Sequence, residues 1–385
     1  MSFLGSIASA FKGGASSRVP LARSFVSPWF FAEGSARAPF EYGGAVRRAY
    51  LDNPVAQRAV RLVAEGIGGA PLSAADPALL RLVGATSAGQ SLLETLASQL
   101  LLHGNAYVQV MKDAEGRPME LYALRPERVS VIAGADGWPA AYAYKVGETT
   151  LSVPVLDQDA SPNLIHVRSF HPADDHYGAG CLAAADRAIA THNAAAEWNR
   201  TLLENAARPS GALVYDPGDA GGLSADQFDR LKAELASAFS GAGNAGRPML
   251  LEGGLKWQAL SLTPADMDFA ELKAAAARDI ALAFGVPPML LGLPGDATYA
   301  NYREANRALW RLTLLPLASK LLSALAEGLE TWFPEAGLAI DLDQVPALAE
   351  DREMLWKQVG GADFLDATEK RRLLGLPEAN EGNKS

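Results

Sequence analysis

Cysteine is almost missing from this 385-residue sequence: Cys181 stands alone, so no disulfide can close within the chain and no multi-cysteine metal site can form. Positive charge is short as well. Against 44 Asp and Glu there are 34 Lys and Arg, a formal net charge of −10, and the basic stripe with which a protein grips phosphates is not there. No stretch offers about 20 apolar residues without charges or prolines, so no membrane helix is expected. The N-terminal FLGSIASAF has neither the basic flank of a secretory leader nor the length to span a bilayer. Nucleophile elbow, Walker loop and spaced acidic pair are lacking too, which leaves no hydrolytic centre or energy source. Hydrophobic residues, by contrast, make up 49% of the chain, enough to bury cores in two or more subdomains.

Two weak motifs need weighing. Gly241, Gly243 and Gly246 have the G-x-G-x-x-G spacing, but a dinucleotide site needs strand, glycine turn and helix in that order. Here the pattern places a helix before and a strand after, so a turn is expected. His166, His171, Asp174, Asp175 and His176 form the one cluster with metal-ligand chemistry. Pro172 and the surrounding Ala and Gly favour a hydrogen-bonded loop leading into a helix at Gly180, rather than a zinc site. A metal-dependent hydrolase using this segment is one alternative function, and a helical adaptor for protein partners is another.

The clearest organisation runs from Ser261 to Phe333. Thr263, Pro264 and Asp266 have the chemistry of a helix start. Gly285, Pro287 and Pro288 have that of a stop. Phe269, Leu272, Ala276 and Phe284 are expected on one apolar stripe, with Ala274 to Ala277 as a flank for close backbone approach. A second helix is expected from near Asn301 to Trp332, kinked at Pro316. Between them lies a Gly/Pro-rich loop, long enough to imply a role.

Elsewhere, Asn53 and Pro54 open a helix expected to run through about Ile67, closed by Gly66, Gly68 and Gly69, and Ser91 with Glu94 caps another ending at Gly104. Strands are expected at 106–111, 120–124, 129–132 and 141–145, with Asp136-Gly137 as a hairpin turn. A long helix should follow Gly180 and end near Pro209. A small α/β insert comes next, with strands at 211–215, 249–251 and 255–260 and a helix capped by Ser224 and Gln227. Thr368 could cap a last helix over 370–374.

GVPPMLLG (285–292), TYAN (298–301) and TLLPLASKL (313–321) resemble the tunnel-loop region of the phage portal protein family, in the branch typical of long-tailed phages and gene transfer agents. NPVAQRAVRLVAEGIGGAPL (53–72), LLLHGNAYVQV (100–110), ELYALRPERV (120–129), NAGRPMLLEGGLKWQALSLTPADMDFAE (244–271) and DATEKRRLLGLPE (366–378) resemble the same family in the same order.

The resemblance implies an α+β, ring-forming portal fold. Its parts would be a flexible N-terminal arm (1–40), a wing of helices and antiparallel strands (41–178), a stem helix (179–207), a small α/β clip (208–260), a second, antiparallel stem helix (261–285), a tunnel loop (286–303), a long kinked helix (304–335), and a short crown with a disordered tail (336–385). It further implies a ring of twelve copies with double-stranded DNA passing through. The other partners would be the large terminase, the major capsid protein and a head-tail adaptor, in a virion or phage-like particle assembled in the host cytoplasm. No catalytic residue, cofactor, metal or membrane is expected. Within the loop, Thr298, Tyr299, Asn301, Tyr302 and Arg303 are the candidates for touching DNA. Gly285, Pro287, Pro288, Gly292, Pro294 and Gly295 would shape it. Thr298 and Asn301 could equally cap the second helix.

Overall fold

A computed structural model describes residues 42–87, 89–157, 159–204, 211–215, 224, 226–227, 229–230, 233, 255–259, 269–293, 299–335 and 337–376. The expected arm, the helix-start residues Thr263, Pro264 and Asp266, the glycines 241–246, the strand at 249–251 and the tail lie outside these residues. The described chain forms two compact units, one from 72–180 and 318–340, the other from 42–71, 181–317 and 341–376.

The first unit centres on the strand Asn105–Lys112, paired antiparallel with Pro118–Leu124 on one side and Leu164–Arg168 on the other. A second antiparallel sheet runs Val129–Ala133, Pro139–Val146, Thr149–Pro154. Gly137, at φ +85°, makes the tight turn expected there. Tyr107, Leu124, Val129, Tyr142 and Leu164 bury their side chains together. The helix Leu92–Leu102 is capped by Ser91 Oγ, which accepts from Glu94 N–H at 3.0 Å. Two of these strands were not expected from sequence. Thr149–Pro154 is almost wholly exposed and its apolar alternation is confined to Leu151 and Val153, and Leu164–Arg168 is a five-residue run that carries a His and an Arg.

In the second unit the helix Pro54–Gly68 starts as expected, with Asn53 Oδ1 accepting from Val55 N–H and Ala56 N–H. It ends about where expected, past Ile67, but Gly66 lies inside it rather than at its close. The helix continues to Gly68 and is closed by Gly69. A Cβ on Gly66 would lie 2.6 Å from Leu314 Cδ2, so this glycine serves close packing rather than termination. The helix Cys181–Glu204 buries Leu182, Ala185, Ile189, His192 and Ala195 on one stripe. Its packing partner, Phe269–Ala283, buries Ala276, Ala277, Ile280 and Ala281. Leu272, expected on that stripe, instead lies on the open side and is 46% exposed. The strands beyond these helices, Gly211–Tyr215 and Leu255–Ala259, pair antiparallel with Gly211 opposite Ala259. Ser224 and Gln227 exchange the reciprocal bonds of a capping box.

The second long helix is Tyr299–Leu309, a π turn over Trp310–Leu314, then Leu315–Leu329. The irregularity sits just ahead of Pro316. Proline has no N–H and its ring crowds the carbonyl four residues back. The wide turn, in which Leu315 N–H reaches Trp310 O, accommodates both. Ala300–Leu329 is long and apolar enough, by length and composition alone, to cross a membrane. No membrane helix was expected for want of about 20 apolar residues free of charges and prolines, and Arg311, Pro316 and Lys320 do interrupt this one. One face of this helix is nonetheless a core stripe: Leu314, Ala318, Leu321, Leu322, Leu325 and Leu329 are buried.

Near the C-terminus, Ala349–Gly360 and Ala367–Leu374 are helical. The cap of the last helix is Asp366, in a complete capping box with Glu369, and not Thr368.

Candidate channel loop

The loop after Phe269–Ala283 is shaped by its backbone bonds. Gly285 takes φ +67°. Its N–H reaches Leu282 O at 3.0 Å while Val286 N–H reaches Ala281 O at 2.9 Å, a Schellman end. Thr313 Oγ1, in the π turn, donates to Gly285 O at 2.6 Å, and a Cβ on Gly285 would lie 2.8 Å from that oxygen. The root of the loop is therefore fixed to the π turn at a position where a side chain has no room. Pro287 leads into a short 3-10 turn, Pro288–Leu291, which ends at Gly292 with φ +73°. Pro294, Gly295 and Thr298 lie outside the described residues.

Because the helix begins at Tyr299, Asn301, Tyr302 and Arg303 stand on its first turns rather than in the loop. Asn301 is thus past the cap position. Asn301 and Tyr302 are exposed. Arg303 Nη1 is engaged with Glu350 Oε1 at 2.8 Å. One turn on, Arg307 Nη2 meets the same carboxylate at 2.6 Å, and its other nitrogens lie near Glu304 and Asp351. The pairing was not expected from sequence, because Arg303 and Glu350 are 47 residues apart. Two arginines here face three carboxylates, Glu304, Glu350 and Asp351, so the cluster at the helix start is negative on balance.

The histidine segment is organised by hydrogen bonds and ring stacking. Asn105 Oδ1 accepts from Gly178 N–H at 2.7 Å and lies 3.1 Å from His166 Nε2, and Asn105 Nδ2 donates to Gly178 O at 3.2 Å. His166 stacks on Tyr107 with ring centroids 4.3 Å apart. Burial, with Arg168 nearby, drives its pKa down to about 3, so it is neutral. His171 Nδ1 accepts from Ala173 N–H, and Asp174 Oδ1 from His176 N–H and Tyr177 N–H. Among the described residues no three His, Cys, Asp or Glu side chains converge as a metal site would need. The glycines on either side explain the fold of this latch. A Cβ on Gly104, at φ +82°, would lie 2.4 Å from Ala179 C, and one on Gly178 would lie 2.1 Å from Gly104 O.

An antiparallel α+β unit, a long helix pair with a small strand-paired insert beyond it, and a glycine-pinned loop returning into a second long helix define the portal architecture. The model of the family described as phage portal protein matches residues 54–375, and the chain belongs to that family. A chain from the virion of a native gene transfer agent (GTA) particle is 48% identical, with TM-score 0.68 over 90% of this chain and 97% of its own. A chain in the neck of a native GTA particle, computed with C12 symmetry, is also 48% identical, with TM-score 0.66 over 89% and 96%. An uncharacterized protein of Rickettsia bellii is 38% identical over 352 residues, 87% of this chain and 89% of its own length.

Proposed function

We propose that this portal-family chain closes into a twelve-membered ring at one vertex of a GTA-like or phage-like particle, and that duplex DNA enters and leaves through the ring. The observation that carries the reading is the 48% identity, over nearly the whole of both chains, to a chain in the neck of a native GTA particle computed with C12 symmetry. In this reading residues 41–178 are the wing, the helices of 179–207 and 261–285 the stem, 208–260 the clip and 336–385 a reduced crown. The chain performs no chemistry. The large terminase drives DNA from the clip side, a head-tail adaptor replaces it there after packaging, and the major capsid protein surrounds the ring.

The tunnel loop and the first turn of the next helix, including Thr298, Tyr299, Asn301, Tyr302 and Arg303, face the DNA. Hydrogen bonds from Tyr and Asn to phosphate or sugar touch the duplex without holding it, and the chain's net charge of −10 keeps DNA from adhering to the wall. The test is a producing strain from which this chain is deleted. Its particles should contain no nuclease-resistant DNA, and the wild-type chain supplied in trans should restore it. Filled particles without the chain would refute the proposal.

A further inference from the structure

In the first unit the sheet centred on Asn105–Lys112 ends on one side at Pro118–Leu124, and this edge carries peptide groups without partners. The even-numbered residues of the central strand bond towards Leu164–Arg168, as Val110 N–H to Asn163 O at 3.0 Å and Ser169 N–H to Gly104 O at 2.8 Å show. The odd-numbered Tyr107, Gln109 and Met111 therefore turn their peptide groups to Leu124, Tyr122 and Glu120. Leu121 and Ala123, which alternate with these, each point an N–H and a C=O away from the sheet. Among the described residues no bond reaches these four groups. They open into a groove of about 240 Å³, whose other wall includes Thr86, Gln90, Leu92 and Thr95. The outer edge of Val129–Ala133 in the same unit is closed, since Val131 N–H donates to Tyr177 Oη at 2.9 Å and Val129 N–H to Pro126 O. A strand edge left open beside a cavity is a template for a further extended segment.

We propose that residues Arg23–Ser27 of this chain occupy the groove as a strand added to Leu121–Ala123. Three observations select this segment, which lies outside the described residues. First, Phe25 and Val26 favour a strand, and Pro28, with no N–H to give a sheet, limits it. The run is long enough, because the open groups of Leu121 and Ala123 span only about 7 Å. Second, the charges match. Residues 1–41 hold Lys12, Arg18, Arg23 and Arg37 against Glu33 and Glu41, a net +2, so with −10 for the whole chain the remainder carries −12. Arg23 stands at one end of the run, and Glu120, exposed and without an ion pair among the described residues, stands at one end of the groove. Third, residues 28–41, which join the run to Tyr42, reach up to about 46–50 Å when extended, so the segment can seat on its own chain. This proposal does not depend on the ring reading.

Hydrogen exchange on the full-length chain tests it, read by mass spectrometry on peptides covering residues 119–124. The comparison is a full-length Phe25→Pro/Val26→Pro variant, in which two successive prolines remove donors from both sides of the added strand. In the wild-type chain the Leu121 and Ala123 amides should exchange at least tenfold more slowly than in the variant. Those of Glu120, Tyr122 and Leu124, bonded to the central strand, should exchange alike in both. Fast exchange of Leu121 and Ala123 in the wild-type chain would show that the groove is vacant and overturn the proposal. Equally slow exchange in both chains would assign the groove to another occupant and overturn it too. Loss of the protection on tenfold dilution of the wild-type chain would overturn seating within one chain in favour of a second copy.

Discussion

Asn105 holds more of the first unit together than its size implies. It is 1% exposed, and its side chain satisfies both backbone groups of Gly178 while contacting His166. Asn105→Ala leaves that N–H and C=O short of partners, and an unsatisfied buried group costs about 1–3 kcal/mol. A loss of about 2–4 kcal/mol in denaturant unfolding is expected, and a loss under 1 kcal/mol would show that water replaces the amide. His166 gives the region a pH dependence. Its folded pKa, about 3, lies below the unfolded value near 6.5, so the unfolded chain takes up a proton that the folded chain refuses. Stability is then fully present above about pH 7 and falls with pH until the folded pKa is reached. For one such group the loss between pH 7.5 and 5.5 is about 1.4 kcal/mol. His103 and His192 are also shifted down, chiefly by burial, and add in the same direction. His166→Gln should lessen the pH 7.5 to 5.5 difference by about 1 kcal/mol, and an unchanged difference would contradict the buried, neutral state. The sequence carried the residues of this latch but not their pairing. His103-Gly104-Asn105 and Gly178-Ala179-Gly180 are separated by more than seventy residues, and nothing local says which glycine a buried asparagine will bind.

At the scale of elements, helix ends were the most legible feature and helix faces the least. Asn53 with Pro54, Ser91 with Glu94, and Ser224 with Gln227 act over three or four residues, so the chain around them decides the outcome. Thr368 failed as a cap because Asp366, two residues earlier, has the better acceptor and a Glu at the third helical position to return the bond. Gly66 was misread for a related reason: a glycine that ends a helix and one that admits a neighbour look alike until the neighbour is known. In a Leu314→Ala background, Gly66→Ala should stabilise by about 1 kcal/mol through helix propensity. With Leu314 in place the same change should cost about 1 kcal/mol, because the added methyl overpacks the contact. Equal effects in both backgrounds would show that the two residues do not compete for space. In the channel loop, Gly285→Ala should cost about 2 kcal/mol, since its φ of +67° disfavours a side chain and Thr313 occupies the space. Arg303→Gln should change stability by less than about 1 kcal/mol, as for other exposed ion pairs. Tyr299→Ala should leave assembly intact and lower the nuclease-protected DNA per particle; loss of the ring instead would make Tyr299 structural.

For the whole molecule, the portal architecture was legible because many short patterns occur in one order from Asn53 onward, each tied to a turn or a helix end. The exposed leucines of the helix pair were not legible. Periodicity assigns an apolar residue to a core, whereas Leu272 and Leu282 are exposed in the folded chain. The ion pairing of Arg303 and Arg307 with Glu350 was not legible either, because the partners are more than forty residues away. The most direct test of this account is electron microscopy of the purified full-length protein, with its mass measured in solution. Twelve-fold rings with a central opening wide enough for duplex DNA are predicted. A closed particle without a central opening, or a stable dimer with a two-fold axis, would contradict it.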